Sequence, residues 1–149
     1  MFKLGGLTPA GSLTQACRTR EEFVALLTAL VDTMKGMHIP GDLLPKGSQA
    51  KEEHIFTRMK EALEKRCDDR GVSVDDRKPA LDAIGVLEAV NDLRNSFQHT
   101  GGTAKHVAAL QKLGVVYPSA SSAETWLAVR ARVIDSIREL RRFTASLSD

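Results

Sequence analysis

The chain has 149 residues, 42% apolar and 27% charged, with 21 Lys and Arg against 19 Asp and Glu, a formal charge of +2 and a pI near 8.6. This describes one ordinary globular domain, long enough to bury roughly two-thirds of its unfolded surface without metals or disulfides. It does not describe a protein that grips nucleic acid through bulk charge, although a local basic patch remains open. Cys17 and Cys67 are far apart, with no Cys or His at ligand spacing, which argues against a zinc site or a disulfide framework. No apolar run approaches the ~20 residues of a membrane span. The first residues lack the apolar stretch of a signal peptide, so a cytoplasmic location is expected.

Residues 1–18 are rich in Gly, Ser and Thr and show little periodicity. They are expected to form an irregular arm or the edge of a domain boundary, with the chain possible as one end of a longer protein. Residues 19–149 read as a single helical domain. Its first helix is predicted to start at Thr19, where Thr19 and Glu22 have the spacing of a capping box, and to end near Gly36. Phe23, Leu26, Leu27, Leu30, Val31 and Met34 recur at the spacing of a buried stripe.

A second helix is predicted from Ser48 to Asp69, with Ile55, Phe56, Met59, Leu63 and Cys67 on its apolar face. Gly71 and an acidic loop through Asp75 and Asp76 should close it. Pro79 suits the first turn of a third helix running to Thr100, which Gly101 and Gly102 stop. A short fourth helix is predicted over Thr103 to Leu113. The loop after it leads to Ser121 and Glu124, a second capping box opening a long last helix. Trp126, Val129, Val133, Ile137 and Leu140 are predicted to face the core there. No segment alternates like a strand, so the fold class is all-α, an antiparallel bundle of four or five helices.

The third helix carries the one stretch with chemical promise. At about 100° per residue, Val86, Val90, Leu93 and Phe97 point toward the core. Arg94 lies at the edge of that stripe, Asn91, Asn95 and Gln98 lie further round, and His99 lies nearly opposite the core. A surface His with no special role is the plain alternative. Near a helix C-terminus, however, the dipole favours an imidazolium and should raise the His99 pKa. A guanidinium matches phosphate oxygens with a bidentate fork. Arg, His and two amides together suit a phosphodiester.

Arg94-Asn95-Ser96-Phe97-Gln98-His99 resembles the Arg-x4-6-His motif of HEPN domains, including the polar residue after the Arg. HEPN domains are helical bundles with this motif near a helix end, and many are metal-independent endoribonucleases of toxin–antitoxin and antiviral defence systems. The resemblance implies RNA as the substrate, no cofactor and no metal. It also implies a homodimer whose two motifs line one cleft, with an antitoxin or a fused regulatory domain as a further partner. In such a site His99 would act as general base or acid, Arg94 would bind the scissile phosphate, and Asn95 would orient His99 or the phosphate. The alternative is a non-catalytic HEPN-like binding or dimerisation module.

Elsewhere, Arg138 and Arg141 are candidates for an RNA-backbone track on the last helix, against a solvated face paired internally as Asp135 with Arg138 and Glu139 with Arg142. His106 could pair with His99 at a metal, but no third ligand is apparent. Ser96 has no evident base or acid partner. Trp126 reads as core packing.

Overall fold

The structure is a computed structural model that describes residues 15–51, 54–98, 103–118 and 121–148. Those residues form five α-helices and no strand: α1 (Arg20–Lys35), α2 (Ile55–Asp69), α3 (Val74–Gln98), α4 (Thr103–Lys112) and α5 (Ser122–Ser146). The all-helical bundle expected from the periodicity is what the chain builds. No helix described is long and apolar enough to cross a membrane.

Local chemistry sets the helix ends. Thr19, in extended conformation, accepts the Glu22 N–H at 3.1 Å, and the Glu22 carboxylate accepts the Thr19 N–H at 3.2 Å, completing the capping box that starts α1. Helix α2 begins at Ile55 rather than Ser48. The Ser48 N–H donates to the Pro45 carbonyl at 3.1 Å, and its hydroxyl donates to Glu61 Oε2 at 2.5 Å. With Gly47 at a φ of 86°, Ser48 belongs to a turn, and its hydroxyl oxygen accepts the Ala50 N–H at 3.3 Å within that turn instead of capping a helix. The Arg58 guanidinium then ties this loop down through the Ile39 carbonyl at 2.8 Å.

Helix α3 also starts elsewhere than expected. The Ser73 hydroxyl accepts the Asp76 N–H at 3.1 Å, so Asp75 and Asp76 form the first turn, where negative charge meets the positive end of the helix dipole. The acidic residues open the helix instead of forming a loop, and Pro79 lies inside it. At α5 the Ser121 hydroxyl accepts the Glu124 N–H at 3.1 Å.

Helix α3 is the axis of the bundle and packs against each of α1, α2, α4 and α5. The core around it includes all six stripe residues of α1, with Ile55, Phe56, Met59, Leu63 and Cys67 of α2. Trp126 is buried, meets the Phe23 ring edge-on at 6.5 Å and donates its Nε1–H to the Gln15 carbonyl at 3.2 Å. Cys17, on the arm side of the expected boundary, is buried in the same core.

The apolar face of α5 differs from expectation at one position: Ile137 is 49% exposed, whereas Ser136 is 6% exposed. The arc of Val129, Val133 and Leu140 is centred about 40° from Ser136 and about 60° from Ile137, which lies on the rim. Leu127 and Ile134 are exposed as well. Leu140→Ala should therefore destabilise the fold by about 2–5 kcal/mol and Ile137→Ala by less than about 1 kcal/mol, read from urea unfolding midpoints at constant m. Equal losses at both positions would contradict this assignment of the core.

Candidate functional site

Positions spaced alternately by three and four form a row along a helix. One row of α3, Ala83, Val86, Val90, Leu93 and Phe97, is apolar throughout and packs into or against the core. The adjacent row starts in the same way with Ala80, Ile84 and Leu87, all buried, and then continues as Asn91 and Arg94. Two polar side chains thus stand where the packing of the preceding turns calls for apolar ones.

The atoms record the conflict. Asn91 Oδ1 and Arg94 Nε are both buried and have no hydrogen-bond partner among the described residues. Each such group costs about 1–3 kcal/mol. Arg94 Nη1 donates to Asn95 Oδ1 at 3.1 Å, which holds the guanidinium on the half-buried flank of the helix. No carboxylate among the described residues pairs with Arg94, so none of them offsets its charge where solvent screening is reduced. The structure brings together Asn91, Arg94 and Asn95. His99 lies outside the described residues.

Asn95 thus contacts the guanidinium through Oδ1. Asn91, which composition and motif alone did not single out as a site residue, joins the group. Its signal in the sequence was a polar residue on an otherwise apolar row, visible only once two adjacent rows are known to be buried.

The opposite flank of α3 carries a second arrangement. Arg94 and Ser96 point about 160° apart around the helix. The Ser96 hydroxyl lies 2.5 Å from the Leu93 carbonyl and 2.8 Å from His106 Nδ1, on α4. Carbonyl oxygen can only accept, so the single hydroxyl proton goes to Leu93. The contact with His106 then requires a proton on Nδ1, donated to Ser96 Oγ. Ser96 does have an imidazole partner, contrary to the sequence reading, but as an acceptor, so His106 does not activate it as a nucleophile.

The His106 ring is also held edge-on between Phe97, at 5.0 Å, and Tyr117, at 5.9 Å. Phe97 in turn meets Phe23 at 5.8 Å, with the Arg20 guanidinium 5.5 Å from its centroid. Burial foremost, and then the charge of Arg20, push the His106 pKa below its ordinary value of 6.5. Among the described residues no three His, Cys, Asp or Glu side chains gather at a metal-binding spacing.

On α5, Arg138 Nη1 pairs with Asp135 at 3.4 Å and Arg142 Nη2 with Glu139 at 2.8 Å, the internal pairs expected of a solvated face. Arg141 is exposed, with no carboxylate paired to it among the described residues. No protein-family model, curated protein or solved structure matches the chain.

Two expectations follow from this geometry. Asn91→Leu, which extends the buried apolar row, should raise stability by about 1 kcal/mol or more in urea unfolding; a loss of that size would mean that Asn91 serves the packing. His106 has a lowered pKa, so the unfolded chain takes up the proton first and stability falls as pH drops through about 6.5. Arg20 and Tyr117 are the other titratable groups facing the ring. The acid-side decline should flatten in His106→Asn, and an unchanged slope between pH 7 and pH 5 would refute this account.

Proposed function

We propose that this protein is a metal-independent endoribonuclease of the HEPN type, acting as a toxin or an antiviral defence effector. One observation carries the reading. Arg94 and Asn91 interrupt a buried apolar row, leave polar atoms without partners among the described residues and keep a cation free of any described carboxylate. A bundle selected only for stability would extend Leu87 with further apolar residues, and departures of this kind concentrate at functional sites. A half-buried guanidinium fork suits an anionic tetrahedral group. The Arg94–His99 spacing adds a proton-transfer group to it.

In this reading His99 takes the proton of the ribose 2′-hydroxyl as the 2′-oxygen attacks the adjacent phosphorus. The bond to the 5′-oxygen breaks, and that oxygen receives a proton from a general acid. The products are a 2′,3′-cyclic phosphate and a free 5′-hydroxyl. Arg94 neutralises charge growing on the non-bridging oxygens, and Asn95 holds the guanidinium in place. A two-fold dimer supplies a second Arg94–His99 pair, so that base and acid come from different protomers. Arg138 and Arg141 extend the grip along the RNA backbone.

A second reading is a non-catalytic HEPN-like module for binding or dimerisation. It is favoured by Leu127, Ile134 and Ile137, 56%, 37% and 49% exposed along the outer side of α5. Contiguous exposed apolar side chains are a mark of contact surfaces.

Cleavage of a mixed RNA pool in the presence of EDTA separates the two. The native protein should leave 2′,3′-cyclic ends, with cleavage falling at least ~100-fold in Arg94→Ala and His99→Ala while both remain folded. Asn95→Ala should lose less, about tenfold, because it loosens the guanidinium without removing it. A folded native protein that cleaves nothing would transfer the assignment to the binding module.

A further inference from the structure

The chain leaves α3 at Gln98 and re-enters a helix at Thr103, so the covalent path between them is short. Each end of that path carries one member of a specific contact. Ser96 lies in the last turn of α3, His106 lies in the first turn of α4, and Ser96 Oγ and His106 Nδ1 are 2.8 Å apart. The edge-on ring contact of Phe97 with His106 joins the same two turns.

The clasp has a defined chemistry. Because the Ser96 proton is directed to the Leu93 carbonyl, His106 must act as the donor through Nδ1. The neutral ring then carries its lone pair on Nε2. Two aromatic edges restrict ring rotation, and Tyr117 reaches the ring from the loop after α4. The lowered pKa agrees with a ring that stays neutral near pH 7. Neither metal binding nor nucleophile activation is needed to explain any of these contacts.

We propose that His106 is a positioning residue for the RNA cleavage proposed above, donating Nδ1–H to Ser96 and thereby clamping α4 onto the end of the helix that bears Arg94. This inference rests on the endoribonuclease reading. His106 acts through Ser96 and the helix end, and touches no reacting atom itself. A misplacement of about 1 Å at a catalytic group can lower a rate about 100-fold, so a clasp at this point has leverage on turnover.

The test combines a spectroscopic readout with a replacement series, all in the full chain. Nitrogen-15 NMR of the native protein at pH 7.5 should show His106 protonated at Nδ1 and bare at Nε2, with the Nδ1 proton protected from exchange. Ser96→Ala should abolish that protection. A ring protonated at Nε2 instead would overturn the proposal without reference to activity.

In the cleavage assay, His106→Asn keeps an N–H close to the position of Nδ1 and should stay within about threefold of native kcat. His106→Gln places its amide near Nε2 instead and should fall about ten- to hundredfold with little change in KM, as should His106→Ala. If the native protein cleaves and all three variants match it, this inference fails while the nuclease reading stands. If Asn fails as badly as Ala, the Nδ1–H given to Ser96 does not carry the effect and the positioning role is wrong. A native protein that does not cleave RNA removes the nuclease reading and the positioning role with it.

Discussion

The structure depends on the burial of α3. A helix touched by four others has to be apolar over more than half of its circumference, and Ala80, Ala83, Ile84, Val86, Leu87, Ala89, Val90 and Leu93 cover an arc of about 220°. Alanines at several of these positions let neighbouring helices come close, and the larger residues fill the space between them. What is left for polar chemistry is a narrow strip that widens only near the C-terminal end of the helix. There one of the two buried rows turns from Leu87 to Asn91 and Arg94. The candidate site is therefore built on the most constrained element of the fold, where rotamers are limited by packing and a catalytic group can be held to a small tolerance.

The same burial explains why the site is energetically uncomfortable. A guanidinium nitrogen and an amide oxygen without partners among the described residues are tolerated because the rest of α3 is so well anchored. Asn95 relieves part of the strain through Arg94 Nη1, and on the far flank the Ser96 hydroxyl is satisfied twice, by the Leu93 carbonyl and the His106 ring. One flank thus has uncompensated polar groups and the other a closed network. That asymmetry separates the groups that would meet a substrate from those that hold the helix end in position.

Much of the fold was legible from periodicity and capping. The α1 stripe and its box, the apolar face of α2, the limits of α4 and the burial of Trp126 follow from spacing alone, because those signals are local. The starts of α2 and α3 were not legible. Ser48 sits in a turn instead, where its hydroxyl oxygen accepts the Ala50 N–H and its proton goes to Glu61, thirteen positions along the chain, while Ser73 caps α3 ahead of the Asp75 and Asp76 that read as a loop. Ile137 was misplaced for a similar reason: a single helix shows where its apolar arc lies but not how far its neighbours reach over the rim.

The sequence by itself determined the helical class, the main apolar stripes of α1 and α2 and the Arg94-to-His99 motif, since all of these are properties of residues a few positions apart. Only the tertiary structure decided that α3 is buried on two rows rather than one, and hence that Asn91 and Arg94 are misfits in a core rather than ordinary surface residues. Likewise, it alone joined Ser96 to His106, ten positions away on another helix. Such a contact leaves no periodic trace in the chain, because it depends on how two helices pack and not on how either one forms.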